Sequence, residues 1–197
     1  RPIMKKAVCT VMVVMLAAFI GGIKWQRTHR SELVLTCLDV SHGQAIFAQL
    51  PGGGNILFDA GSLHVSDVGQ WTIAPFLDYE GISRIDTAII SHNDIDHINA
   101  IPEVVEHLPV GRIYANEAFF EDAEQWGAAK FLGDYLNKAG MKIERVTPEF
   151  DLGGKAKIKS LWPNGRPVAG GQFIENDKSL VLFIEIAGRK ILLCSDI

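Results

Sequence analysis

The residues best suited to chemistry fall in one short stretch, Ser91-His92-Asn93-Asp94-Ile95-Asp96-His97. Neutral imidazole and carboxylate are the nitrogen and oxygen donors that divalent zinc, manganese or iron accept, and His92, Asp94, Asp96 and His97 supply them densely. In an extended segment His92, Asp94 and Asp96 share a face because side chains alternate, while a tight turn must gather Asp96 and His97 as well. Asp and Asn also cap helices, so spacing alone leaves open a purely structural reading of Asn93-Asp94-Ile95-Asp96 as a helix start.

The flanking elements must position this stretch. Before it, Thr87-Ala88-Ile89-Ile90 reads as a buried strand; after it, residues 98–108 can form a helix. A second carboxylate, Asp59, directly follows the apolar strand 56–58 and precedes Ala60-Gly61, where it either bonds loop amides or supports catalysis. A third, Asp196, follows the apolar run Ile191-Leu192-Leu193-Cys194 at another strand end. Residues 33–40 and 45–50 read as strands joined by the turn Ser41-His42-Gly43-Gln44, and 51–55 is the next turn, which makes a β-meander with 56–58. Thr72 is placed to cap a helix with Pro75 in its first turn and Gly81 as its stop. Beyond the central motif come a strand at 112–115 and an amphipathic helix over 121–139, with Ala123, Trp126, Ala129, Leu132, Leu136 and Ala139 on its core face and Gly140 ending it. Residues 142–146, 156–161, 179–186 and 190–194 read as strands, the last two a hairpin through Ala187-Gly188-Arg189, with a long loop over 162–177. Strands, helices, then strands again predict two sheets with helices outside.

Composition bounds the class. A chain of 197 residues, 48% hydrophobic, buries one good core plus at most an appendage. The net charge of −4 and the lack of a Lys/Arg cluster give no electrostatic case for a nucleic-acid surface, although cations in a carboxylate-rich site would reverse the local sign. Cys9, Cys37 and Cys194 are widely spaced and odd in number, which predicts neither a disulfide framework nor a cysteine zinc site. Residues 7–23 carry only Thr10 as a clearly polar side chain, between Arg1, Lys5, Lys6 and Lys24, Arg27, Arg30. This is near the lower length limit for a membrane helix, with a signal peptide beginning at Met4 as the rival reading. The expected organisation is a membrane-spanning helix with basic flanks over 1–30 and a soluble domain over 31–197.

The stretch from Ser91 to His97 resembles the His-x-His-x-Asp-His signature of the metallo-β-lactamase superfamily, in the variant with Asp at the second His. Within it, the sequence is similar to the C-terminal domain of ComEC, the competence proteins that bring DNA through the membrane. The likeness runs through Leu38-Asp39-Val40, Leu50-Pro51-Gly52-Gly53, Phe58-Asp59-Ala60-Gly61, Ile73-Ala74-Pro75-Phe76-Leu77, Glu175-Asn176-Asp177-Lys178-Ser179-Leu180-Val181-Leu182 and Leu192-Leu193-Cys194-Ser195-Asp196-Ile197, and covers roughly residues 33–197.

The resemblance implies an α/β (α+β) metallo-β-lactamase-like αββα sandwich. It implies two divalent metal ions, manganese or zinc with magnesium possible, held by His92, Asp94, Asp96, His97 and a bridging Asp196. It gives Asp96 a catalytic role, Asp59 a supporting one, and Asn176 and Ser179 a place lining the site. Two departures stand out. The usual Asp-Val-Gly-Gln-Gly-Asp-Ala reads Asp39-Val40-Ser41-His42-Gly43-Gln44-Ala45, which puts Gln44 in place of an acid and introduces His42 either as a ligand or as a plain turn residue. Ile98-Asn99-Ala100 replaces Ile-Gly-Gly. The family's later His-His-Gly-Ser segment does not occur within these residues, so a fragment with one wall of the site missing is expected. The implied activity is metal-dependent hydrolysis of a phosphodiester, a nuclease in DNA uptake. DNA, the membrane and the rest of a ComEC-like channel are its implied partners, and it would sit at a bacterial cell membrane with the soluble domain on the extracytoplasmic side. Hydrolysis of an ester or lactam, or a non-catalytic part of a DNA-uptake transporter, are the alternatives.

Overall fold

The computed structural model describes residues 2–124, 127–150, 157–163, 175–186 and 188–197. It opens with α1 (Pro2–Thr28), 27 residues without an acidic side chain. At ~1.5 Å per residue such a helix spans about 40 Å, and it is long and apolar enough to cross a membrane, with 0% of its most apolar window buried against the protein. Its end is tied to the domain, because Arg30 pairs with Glu80 at 2.7 Å and the Arg27 guanidinium lies 4.0 Å over the Tyr79 ring.

The first sheet runs β1 (Val34–Cys37), β2 (Ile46–Leu50), β3 (Gly54–Phe58), β4 (Ile85–Ile90), β5 (Val110–Ala115) and β6 (Ile143–Arg145), in that spatial order. The first three form the antiparallel meander; from β3 onward neighbours are parallel. Parallel neighbours need crossovers, which helices supply. A π-helical turn (Gly69–Ile73) leading into α2 (Ala74–Glu80) links β3 to β4, α3 (Ile95–Ile98) and α4 (Ile101–His107) link β4 to β5, and α5 (Glu117–Ala123) and α6 (Ala128–Lys138) link β5 to β6. The second sheet is antiparallel, with β7 (Glu149–Phe150), β8 (Lys157–Trp162), β9 (Val181–Ile186) and β10 (Arg189–Leu193) ordered β10-β9-β8-β7.

Side-chain alternation along the central strands divides the interior in two. Leu57, Ala88, Ile90 and Ile113 face the helices, against Leu77, Ile101, Phe119 and Leu132. Ile56, Phe58, Ile89 and Tyr114 face the other way, against Ile158, Leu182, Ile184 and Leu193 of the second sheet. The expected two-sheet α/β architecture is therefore present, with a sheet buried on both faces.

Several elements depart from expectation. The helix anticipated over 98–108 begins earlier, inside the motif, and breaks between Ile98 and Ile101. Asn99 causes the break: its side chain accepts from Ser62 N at 3.0 Å and donates to Ser62 O at 2.7 Å, and Ala100 N reaches back to Ala60 O. The helix anticipated over 121–139 is two helices, because Gly127 stands at φ +156° and Asn116 caps α5 by accepting from Phe119 N; Trp126 lies outside the described residues. Thr72 lies inside the π turn rather than at a cap, since amides there are satisfied by Asp67 O and by the Glu103 carboxylate. Gly81 does end α2, at φ +78°. The short strand β7 was not anticipated, and Ala156, Ala187 and most of the 162–177 loop lie outside the described residues.

Candidate metal centre

Ligand sites in sheets of this kind form beyond the carboxyl ends of parallel strands. Here β3 and β4 are parallel neighbours, so Asp59, just past β3, and the Ser91 to His97 turn, just past β4, emerge side by side. Two glycines let the surrounding loops close on that turn. A Cβ on Gly61 would lie 2.4 Å from the carbonyl carbon of Asp96, and one on Gly43 would lie 2.5 Å from the oxygens of Asp96 and Gly61. The backbone is then laced together, with Gln44 N donating to Asp96 O at 3.1 Å and Ala60 N to His97 O at 2.8 Å.

Asp59 is the hub of the buried network. It is fully buried and adopts φ +58°, an uncommon conformation that Asp tolerates better than most residues. Its Oδ1 accepts from Ser91 N at 2.7 Å; its Oδ2 accepts from Gln44 Nε2 at 2.8 Å, Ser91 Oγ at 2.6 Å and His97 Nδ1 at 2.9 Å. A carboxylate only accepts, so His97 carries a proton on Nδ1, and in the neutral ring its Nε2 keeps a lone pair. Ser91 Oγ, having donated to Asp59, must accept its other contacts, from Ser195 Oγ at 2.7 Å and from His92 Nδ1 at 2.8 Å. His92 is thereby held in the same tautomer. Its Nε2 is fully buried and without a hydrogen-bond partner.

That orphaned nitrogen is where a metal fits. Nε2 of His92 lies 3.4 Å from Asp94 Oδ2, and Nε2 of His97 lies 3.3 Å from Asp196 Oδ1. A charge-assisted hydrogen bond would be about 2.7–2.9 Å, whereas two donors on one tetrahedral zinc at ~2.0–2.2 Å stand about 3.3–3.6 Å apart. The imidazoles themselves lie with ring centroids 4.1 Å apart. One oxygen of Asp59 and one nitrogen of each imidazole also fall within 4.8 Å of one another. Asp59 already accepts four hydrogen bonds, so beside a bound ion it would orient His97 rather than serve as a donor. Asp94 and Asp196 are 36% and 39% exposed, so the donors open to solvent above two buried rings.

The pull on His97 follows from these neighbours. Burial is the strongest influence and lowers its pKa, but the Asp59 hydrogen bond and the charges of Asp59, Asp196 and Asp96 outweigh it, raising the pKa above the ordinary 6.5.

The structure thus brings His92, Asp94, His97, Asp59 and Asp196 together. Asp96 lies on the same turn, with its Oδ2 3.5 Å from His42 Nε2. Gln44 does not take the place of a donor; it hydrogen-bonds Asp59, where a carboxylate would face another carboxylate. Asn176 and Ser179 are not joined to the cluster by any hydrogen bond among the described residues, and the buried Ser179 hydroxyl has no partner. Three organising residues carried no signal of their own in the sequence. Ser91 bridges the two imidazoles through Asp59, Asn116 donates to Ser91 O and Lys178 O, and Ser195 ties the second sheet to Ser91. Asn116 precedes an acidic first turn and was legible at most as a helix cap.

Comparison with known proteins bears on the family and the fold. A family model described as the metallo-beta-lactamase superfamily matches residues 38–196. The chain is 27% identical over 181 residues to ComE operon protein 3 of Bacillus subtilis (strain 168), covering 85% of this chain and 22% of that protein. It is 26% identical over 188 residues to competence protein ComA of Neisseria gonorrhoeae, covering 86% of this chain and 25% of that protein. The chain therefore spans about a quarter of the length of these curated relatives. Among solved structures, Zn(2+)-bound PqqB from Methylobacterium extorquens superposes with a TM-score of 0.51 at 14% identity, over 77% of this chain and 52% of that one, which is a likeness of fold. With its hydrolase-type architecture and its motif lying within the matched region, the chain belongs to the metallo-β-lactamase superfamily.

Proposed function

We propose that this chain is a metal-dependent phosphodiesterase domain that cleaves DNA during DNA uptake and is attached to a bacterial membrane by α1. The observation that carries the reading is the paired tautomer: Asp59 and Ser91 occupy Nδ1 of His97 and His92, leaving both Nε2 atoms free beside the Asp196 and Asp94 carboxylates. His92 and Asp94 would hold one cation, Asp96 and His97 a second, with Asp196 between them. Bound there, the cations would supply Lewis acidity and water activation for phosphodiester hydrolysis. The protein's own part is positional. Asp59 fixes the His97 ring, Ser91 fixes the His92 ring, and burial of both keeps bulk water beneath the site out. The donor spacing fits tetrahedral zinc better than octahedral magnesium, whose adjacent donors at ~2.0–2.1 Å would stand about 3 Å apart.

DNA as substrate is supported by the competence proteins among the relatives. Membrane attachment is supported by the length, hydropathy and exposure of α1. An extracytoplasmic placement follows the likeness to ComEC proteins. The test is metal content and cleavage of single- and double-stranded DNA by the full-length protein after chelation and reloading with zinc or manganese, beside a His92→Ala, Asp96→Ala variant. Roughly two cations per chain with cleavage lost in the variant supports the nuclease reading. Metal binding with turnover only of ester or lactam substrates would replace it, and a protein that takes up no metal would make this a scaffold domain.

A further inference from the structure

The geometry points to His42 as a metal ligand at the second position of the centre, joining Asp96 and His97 through its Nε2. This inference rests on the metal-centre reading and adds a donor to it. Nε2 of His42 stands 3.5 Å from Asp96 Oδ2, close to the 3.4 Å of the His92–Asp94 pair and the 3.3 Å of the His97–Asp196 pair, and longer than an ion-pair hydrogen bond. The backbone of His42 is not free. Asp39 Oδ1 accepts from Ser41 N at 3.2 Å, Ser41 stands at φ +65°, and Gly43 leaves no room for a Cβ against Asp96 O. On either side of the turn, Gln44 N bonds Asp96 O and Leu63 N bonds His42 O at 2.7 Å. The turn is thus anchored to the very residue whose carboxylate His42 faces.

A second imidazole supports the ring from behind. His64 packs on His42 with centroids 5.3 Å apart and planes tilted by 36°, which limits where the His42 ring points. The side chain of His42 is 62% exposed, so it approaches the centre from the solvent side, where the buried rings of His92 and His97 do not reach. The donor arithmetic gives the chemical consequence. With His42, the second position would have two nitrogens, from His42 and His97, where it otherwise has one, beside the carboxylates of Asp96 and Asp196, which moves its preference from manganese toward zinc.

The experiment uses this 197-residue chain in detergent micelles, stripped with a chelator. It is titrated with zinc by calorimetry and with cobalt(II), whose visible absorption reports ligand number and type. Wild type should take two cations. His42→Ala should keep one, and lose affinity for the other by more than about 100-fold, beyond the roughly 10–100-fold typical of removing an outer-shell partner. Its cobalt spectrum should change, and free imidazole should restore the second binding event. His64→Ala should retain both cations. If His42→Ala matches wild type in stoichiometry, second affinity and spectrum, the His42 assignment falls while the centre stands. If wild type takes no cation, the centre and the assignment fall together. Because His42 is exposed and its turn is held by backbone bonds, the variant keeps the fold.

Discussion

Asp59 holds no substrate and faces no solvent, yet the state of both imidazoles depends on it. Replacing it with Asn keeps the volume but turns one acceptor into a donor, which must face either Ser91 N–H or the three donors of His97, Ser91 Oγ and Gln44. Asp59→Asn should therefore lower zinc affinity by about 10–100-fold, measured by competition with a chromophoric chelator. Asp59→Ala leaves buried donors unpaired and should also cost on the order of 3 kcal/mol of stability, read from denaturant midpoints. His97 sets the pH dependence. Its pKa is raised in the metal-free fold above the ordinary 6.5, so the stability it contributes is fully present below pH 6.5 and is lost as pH rises through the raised value. Metal requires the neutral ring, so apparent zinc affinity should climb with pH and level off above that value. Calorimetry in buffers of differing ionisation enthalpy, between about pH 5.5 and about pH 8.5, should find proton release on zinc binding at the acid end that fades at the alkaline end. Equal proton release throughout would remove His97 from the ligand set.

The turns that carry these residues need glycine where a helix does not. At Gly61 a Cβ would collide with the Asp96 carbonyl carbon at 2.4 Å, and the neighbour is backbone, which cannot step aside. Gly61→Ala should cost about 1–3 kcal/mol, with a Tm lower by roughly 2–4 °C per kcal/mol, and should weaken metal binding as well. Gly133, inside α6, has nothing within 4 Å of its Cβ position, so Gly133→Ala should stabilise by roughly 0.5–1 kcal/mol and leave metal binding unchanged. The contrast is checked by thermal melts of the two variants side by side. These same turns mark what could be read in advance. The donors of the Ser91 to His97 stretch, the meander before it and the stop at Gly81 follow from residue type and period. The breaks at Asn99 and Gly127 do not, because apolar spacing continues across both and only a contact to Ser62, or a backbone angle, interrupts the helix. Asp59 was visible as a carboxylate after a strand. Its four donors come from positions 44, 91 and 97, and nothing local in the chain announces their meeting.

The candidate centre also lies across the joint between the two sheets. His92, Asp94, Asp96 and His97 follow β4 of the first sheet, whereas Asp196 follows β10, the edge strand of the second. Without metal, the polar ties at this joint run through Ser91, which accepts from Leu180 N at 2.9 Å and from Ser195 Oγ at 2.7 Å, and through Asn116, which donates to Lys178 O at 2.6 Å. The apolar contact beneath them, Leu193 and Leu182 against Ile89 and Phe58, holds the sheets together but does not fix the strand end that carries Asp196. A cation shared by Asp196 and His97 would clamp that end. Ligand held at 100 times its dissociation constant stabilises by ~2.7 kcal/mol, and here that stabilisation should be unevenly distributed. Chelation should therefore speed amide hydrogen exchange in β10 and its hairpin partner β9 well before β4 and β5, whose amides are buried between two layers. Asp196→Asn should reproduce the chelated pattern with zinc still present. If β4 and β10 respond equally to chelation, Asp196 is not shared with the centre and the second sheet is held by its apolar face alone.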